Sequence, residues 1–372
     1  MTTQPWIYSA RVDGAFILAP ALLITALTLI FYNTISVFAT IPLWGWVILV
    51  LGIDVAHVYA TIFRTYADPI EFQRRPLLYI GLPVLCWVLG ALLYSIDALW
   101  FWRVLAYLAV FHFMRQQYGL MMIYGRADGA TVREKYLDKL AIYSATLMPL
   151  LYWHTHLPRQ FDWFVAGDFI ALSWTWITPL GWAVYGLILL AYIAKEIKII
   201  RRNQCCNLPK NLLLLGTALS WSAGIVIFNN DLAFTALNVI AHGIPYMALI
   251  WIFCRNHSQQ IDRSANAHQP EWLKQIFCLQ FIPLYLLILL GLAYLEEGLW
   301  DGLIWREHST LFSPFEWLPR LQDHATLTWL IPLLALPQST HYALDAFIWR
   351  LQGKENEWKT TLFFHSPRSS DH

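Results

Sequence analysis

Apolar runs of about 20 residues recur along this chain, and each is long enough to cross a hydrocarbon core roughly 30 Å thick. Ten are read, at approximately 15–39, 41–63, 77–98, 99–123, 137–153, 169–194, 211–229, 232–254, 273–294 and 325–349. The expected fold is therefore all-α: a polytopic transmembrane helical bundle of about ten spans, filling residues 1–350, with a polar cytoplasmic tail over 351–372. The run after Met1 to Gly14 is long enough to span and has no basic start before it, so no cleavable signal is expected. The longest segment between spans, 295–324, is rich in Glu, Trp and Pro and reads as an interfacial cap.

Composition closes off other classes. Charged residues make up 13% of the chain and hydrophobic ones 58%, whereas soluble domains carry about a quarter charged. The 25 basic and 24 acidic residues nearly cancel, which leaves no electrostatic footprint for a nucleic-acid partner. Twenty Trp, 18 Tyr and 21 Phe against five cysteines argue against both disorder and a disulfide scaffold. Cys205 and Cys206, in a basic loop, read as ordinary thiols or as sites of juxtamembrane palmitoylation.

Basic residues give an orientation. Arg11, Arg64, Arg74, Arg75, Arg126, Arg133, Lys135, Lys139, Lys195, Lys198, Arg201, Arg202, Lys210, Arg255, Arg263, Lys274, Arg350, Lys354, Lys359 and Arg368 all fall on one side of the ten-span reading. Only Arg103, Arg159, Arg306 and Arg320 fall on the other, and Arg115 lies inside a span. Positive charge stays on the cytoplasmic side, so both termini are expected there, in a bacterial inner membrane.

Within the spans the informative residues are histidines. His57, His112, His242 and His341 sit on spans two, four, eight and ten, which all run in the same direction. The basic residues ending those helices, Arg64, Arg126, Arg255 and Arg350, follow at seven, fourteen, thirteen and nine residues. At 1.5 Å per residue these depths are about 10–21 Å from the cytoplasmic edge, which helix tilt can level. Each histidine also has polar companions three or four residues away, on its own helix face. His57 has Asp54 and Thr61, His112 has Arg115 and Gln116, His242 has Asn238 and Tyr246, and His341 has Gln338 and Asp345. Pro245 and Pro337 predict broken helix turns beside two of them, which membranes tolerate where the backbone is buried or lines a cavity.

One intramembrane histidine reads most simply as a packing residue. Four at one depth, each with polar company, point to a shared site. Imidazole-rich coordination suits Fe, Cu, Zn or Ni. A proton relay uses the same residues without metal, and bis-histidine haem leaves the aspartates idle. Elsewhere, His154 and His156 read as surface residues, and His257, His268, His308, His324, His365 and His372 as solvated loop or tail residues. Trp44, Trp46, Trp100, Trp102, Trp251 and Trp349 form the usual interfacial belt. No GxGxxG, P-loop, HExxH or GxSxG pattern is present.

Two stretches carry a resemblance. His112-Phe113-Met114-Arg115-Gln116-Gln117-Tyr118-Gly119 and Gln338-Ser339-Thr340-His341-Tyr342-Ala343-Leu344-Asp345-Ala346-Phe347-Ile348-Trp349-Arg350 look like motifs of an uncharacterised group of bacterial polytopic membrane proteins. That resemblance spans most of the chain and implies no activity. More loosely, His341 and Asp345 resemble the His-x-x-x-Asp arrangement of the membrane-embedded Brp/Blh-type β-carotene dioxygenases, which implies intramembrane histidines around an iron. The other histidines do not align one to one, and this chain has more spans. The HxxxH and HxxHH boxes of membrane desaturases and alkane hydroxylases are missing.

The expectation is an integral-membrane, non-haem metal-dependent oxidoreductase or oxygenase acting on a lipid-soluble isoprenoid or acyl substrate reached from the bilayer. His57, His112, His242 and His341 would ligate a divalent metal, iron first and zinc second. Asp54 and Asp345 would orient ligands or complete the shell, and Arg115 would bind an anionic substrate group or balance the aspartates. The rivals are a proton-coupled transporter or channel using the same cluster, and a zinc-dependent membrane lipid hydrolase.

Overall fold

The computed structural model describes residues 4–262, 269–349 and 357–363; Arg263, His268, Arg350, Lys354, His365, Arg368 and His372, invoked above, lie outside them, as does most of the expected tail. The described residues form helices joined by loops, with no strand among them. The main helices are α1 (Ala10–Ile35), α2 (Leu43–Arg64), α3 (Pro76–Ile96), α4 (Ala98–Tyr124), α5 (Val132–Thr155), α6 (Ile177–Asn203), α7 (Leu208–Ile227), α8 (Asp231–Asp262) and α9 (Leu279–Trp305). They are followed by α10 (His324–Leu334), α11 (Leu336–Ile348) and α12 (Glu357–Leu362).

Seven of these among the described residues, α1, α2, α3, α6, α7, α8 and α9, are long and apolar enough to cross a membrane. That is compatible with an integral membrane protein. Three of the ten expected spans fall outside the seven. The 99–123 segment is a 27-residue helix, but Arg103, His112, Arg115, Gln116 and Gln117 dilute its apolar character. The 137–153 segment is α5, whose first turns are charged. The 325–349 segment is divided at Ala335 into helices of 11 and 13 residues. Pro337, at the second position of α11, needs no N–H partner there and so suits a helix start. The expected 169–194 span begins eight residues later, at Ile177, behind a loop that follows α5.

The chain clusters into two compact units. The first comprises Met1–Pro42 and Ala109–Pro245, the second Leu43–Leu108 and Tyr246–His372. Close helix contacts in the first unit rest on small residues. A Cβ at Gly216 would sit 3.1 Å from the Ala21 Cβ, and one at Gly181 would meet the Met148 sulfur at 2.7 Å. One end of it is tied by ions. Lys195 contacts Asp138 and Glu196, while Lys210 contacts Asp128 and Glu196. Asn207 and Asn211 bond the same carboxylates at 2.7 and 2.9 Å. The chain ahead of α1 is pinned by Asp13, which accepts from the Ile7 and Tyr8 amides at 2.5 and 3.0 Å.

In the second unit, Gly90 lets α3 approach α10, since a Cβ there would lie 2.8 Å from the Pro332 Cβ. The segment after α9, expected as an interfacial cap, folds back on its own carbonyls. Arg306 donates to Glu316 and Leu318, and Arg320 to Ile304 at 3.0 Å. Phe315 lies so close to Gly298 that a Cβ there would collide with its ring. The α12 helix is held by α8, through Asn256 to the Leu362 carbonyl at 2.9 Å. The five cysteines are free thiols.

Candidate metal centre

In the first unit, His112 on α4 meets His242 on α8, with the two Nε2 atoms 3.2 Å apart. Their rings are nearly perpendicular, 4.9 Å between centroids. The Phe113 ring lies parallel to His242 at 3.6 Å, and Trp163 packs edge-on against Phe113. These aromatic walls fix the imidazole plane. Two ring nitrogens this close repel through their lone pairs unless one carries a hydrogen or a cation sits beside both.

Three residues after His242, Pro245 was expected to break the helix, yet α8 runs unbroken from Asp231 to Asp262. The physical reason is a substitute donor. Proline at 245 removes the N–H that would bond the Ala241 carbonyl four residues back. Gln117 Nε2 supplies a hydrogen to that carbonyl at 3.3 Å, and Gln116 Nε2 bonds the His242 carbonyl at 3.0 Å. Gln117 is itself oriented by the Thr217 hydroxyl at 3.2 Å. The two glutamines after His112 thus hold the backbone that carries His242.

In the second unit, His57 on α2 places Nδ1 3.2 Å from the Ile53 carbonyl. A carbonyl only accepts, so Nδ1 donates and the lone pair of the neutral ring is on Nε2. Asp54, expected to orient this ring, is 3.9 Å away with a side chain 38% exposed. His341 on α11 lies 5.1 Å from His57 between ring centroids. Its Nδ1 is 2.7 Å from the Thr61 hydroxyl, which is 2.9 Å from the Tyr246 hydroxyl. Tyr246 in turn donates to Asp345 Oδ1 at 2.7 Å. Asp345 therefore reaches His341 through two intermediaries.

The four imidazoles are each at most 3% exposed. One ring nitrogen from each of His57, His112, His242 and His341 lies within 4.8 Å of those of the other three. Metal–imidazole bonds of about 2.0–2.1 Å place two ligating nitrogens about 3.4 Å apart in a tetrahedron and at most about 4.2 Å apart in any geometry. The His112–His242 separation of 3.2 Å already lies near the first figure. This buried group could hold a metal ion, and its all-imidazole donor set is borderline-soft.

Other sequence-marked residues stand apart from the group. Arg115 is exposed, 3.4 Å from the Tyr143 hydroxyl and over the Tyr118 ring. Asn238 donates to the Phe234 carbonyl at 2.8 Å. His154 bonds the Leu150 carbonyl, and the exposed His156 stacks on Tyr152. His257, expected in a solvated loop, lies within α8 and meets Asp68 at 3.0 Å. Sequence reasoning missed the service of Thr61 to His341 and of Gln117 to α8; polar residues following His57 and His112 were the only signal. No family model, curated protein or solved structure matches the chain.

Proposed function

We propose that this chain is an integral-membrane, non-haem metal-dependent oxidoreductase, an oxygenase in the first instance, whose resident metal is a divalent iron held by His57, His112, His242 and His341. The observation that carries the reading is the meeting of four buried imidazoles from four separate helices. Ionisable groups at membrane depth are costly and mark function rather than packing. In this reading α4, α5 and the α10–α11 pair complete ten spans in a bacterial inner membrane, with both ends of the chain cytoplasmic.

Bound iron would supply redox chemistry with dioxygen; the protein residues supply its setting. Four neutral imidazoles add no negative charge, so the ion keeps its full charge in a medium that screens it poorly. Ile53 and Thr61 fix two ring orientations, and Phe113 fixes a third. The apolar membrane-depth surroundings suit an isoprenoid or acyl substrate entering from the bilayer.

A second reading, a proton-coupled transporter, draws on the hydrogen-bonded run from His341 to Asp345. Elemental analysis separates the two. Full-length protein purified in detergent is expected to hold about one iron per chain and to consume dioxygen with a lipid-soluble isoprenoid. Protein that holds no metal, takes up none on incubation with Fe2+, and moves protons in proteoliposomes would replace the first reading with the second.

A further inference from the structure

The second unit contains a hydrogen-bonded series whose direction follows from counting hydrogens. Thr61, Tyr246 and His341 are all buried, and they come from three distant parts of the chain. With Asp345 ionised, its carboxylate only accepts. Tyr246 has one hydroxyl hydrogen, and it is directed to Asp345 at 2.7 Å. Toward Thr61, the Tyr246 oxygen must then accept, across 2.9 Å. The single Thr61 hydrogen points to Tyr246, so toward His341 the Thr61 oxygen also accepts, across 2.7 Å. The donor there can only be His341 Nδ1–H. A neutral imidazole with its hydrogen on Nδ1 has its lone pair on Nε2.

We propose that Asp345 is a positioning residue that acts through Tyr246 and Thr61 to keep the His341 hydrogen on Nδ1 and to present Nε2 as a ligand atom. The choice of nitrogen stands on the hydrogen-bond series; the word ligand rests on the metal reading above. The arrangement differs from a carboxylate set directly behind a ligating histidine. Here the negative charge is three hydrogen bonds from the ring, so it polarises the imidazole without competing for the cation. Partners of this kind usually set metal affinity within a factor of about 10–100.

The test uses full-length protein, 15N-labelled at histidine, in lipid nanodiscs after chelator treatment, with the His341 signals assigned from a His341→Gln variant. The expected wild-type spectrum shows a protonated Nδ1 and a bare Nε2. Tyr246→Phe and Thr61→Val are expected to give mixed tautomers, and Thr61→Ser to restore the single one. On adding Co2+ and reading its visible absorption, the first two variants should bind about 10–100-fold more weakly than wild type, and Thr61→Ser close to wild type. A hydrogen on Nε2 in the wild-type protein overturns the proposal, as does an unchanged His341 spectrum in Thr61→Val. If Tyr246→Phe does not fold, the two Thr61 variants decide alone. Wild type that shows the expected tautomer but no Co2+ uptake supports the hydrogen-bond series and rejects the metal reading.

Discussion

Lys195 and Lys210 in the first unit and His341 in the second are all buried, but they are satisfied in opposite ways. Lys195 meets Asp138 and Glu196, and Lys210 meets Asp128, Asp138 and Glu196. Their positive charge is met on the spot by carboxylates on α5, α6 and the loop before α5. His341 is linked to the nearest acid on its own helix, Asp345, through two hydroxyls. A cluster of paired charges fixes helices. Convergent imidazoles could hold a cation. The difference separates scaffold from site by chemistry alone.

The sharpest way to break this contrast is to remove one member from each set. His242→Ala should lower bound metal from about one per chain to background while the thermal midpoint of the metal-free protein stays near wild type. Metal analysis and a melting curve on the same sample read both. Full retention of metal in both His112→Ala and His242→Ala would reject the ligand assignment. Lys210→Met should do the reverse, costing about 3–5 kcal/mol by leaving the buried Asp128 without its lysine, with any surviving folded protein holding metal normally. Denaturant unfolding in mixed micelles measures that loss.

A smaller effect concerns the loop after α5. Asp168 accepts from the Trp163, Phe164 and Val165 amides at 3.1, 2.6 and 3.2 Å. Burial nevertheless pushes its carboxyl up to about 6 from 3.8. A folded-state value above the unfolded one favours the protonated fold, so this contribution is full below the unfolded value and lost as pH rises through about 6. Amide exchange at residues 163–165, corrected for its intrinsic rate, should be about tenfold more protected at pH 5 than at pH 7. Asp168→Asn should flatten that dependence. The smallest effect is expected at Asp54. Standing 3.9 Å from His57, it is too far for a hydrogen bond, so Asp54→Asn should change metal affinity by less than about threefold. A larger change would restore Asp54 to the ligand-orienting role expected from its spacing.

The helices were legible because a span is written in consecutive residues, and the four histidines because imidazole at that depth is anomalous. What escaped lay between segments. Position 61 follows His57 by one turn, so its face was readable, but its partner is 280 residues further on. Pro245 reads as a break only while the Gln117 amide, 124 residues from the carbonyl it bonds, is out of view. The ten-span reading treated 325–349 as one segment because its apolar composition is continuous; the division at Ala335 comes from Pro337, which fits the start of a new helix. Arg115 looked chemical by its neighbours in sequence, but the side of the helix that carries it is the exposed one.

The α2 helix is π-helical from Trp46 to Val55 and returns to α geometry at Ala56, one residue before His57. Wider turns consume more residues per revolution, so they act as a phase adjuster upstream of His57. Everything from His57 to Arg64 keeps ordinary α spacing, while residues before Val55 are rotated about the axis relative to it. A deletion inside Trp46–Val55 would therefore swing the first half of the helix and leave His57, Thr61 and Arg64 in step. An equal deletion between His57 and Thr61 would throw those two out of register with each other, though the chain would lose the same length.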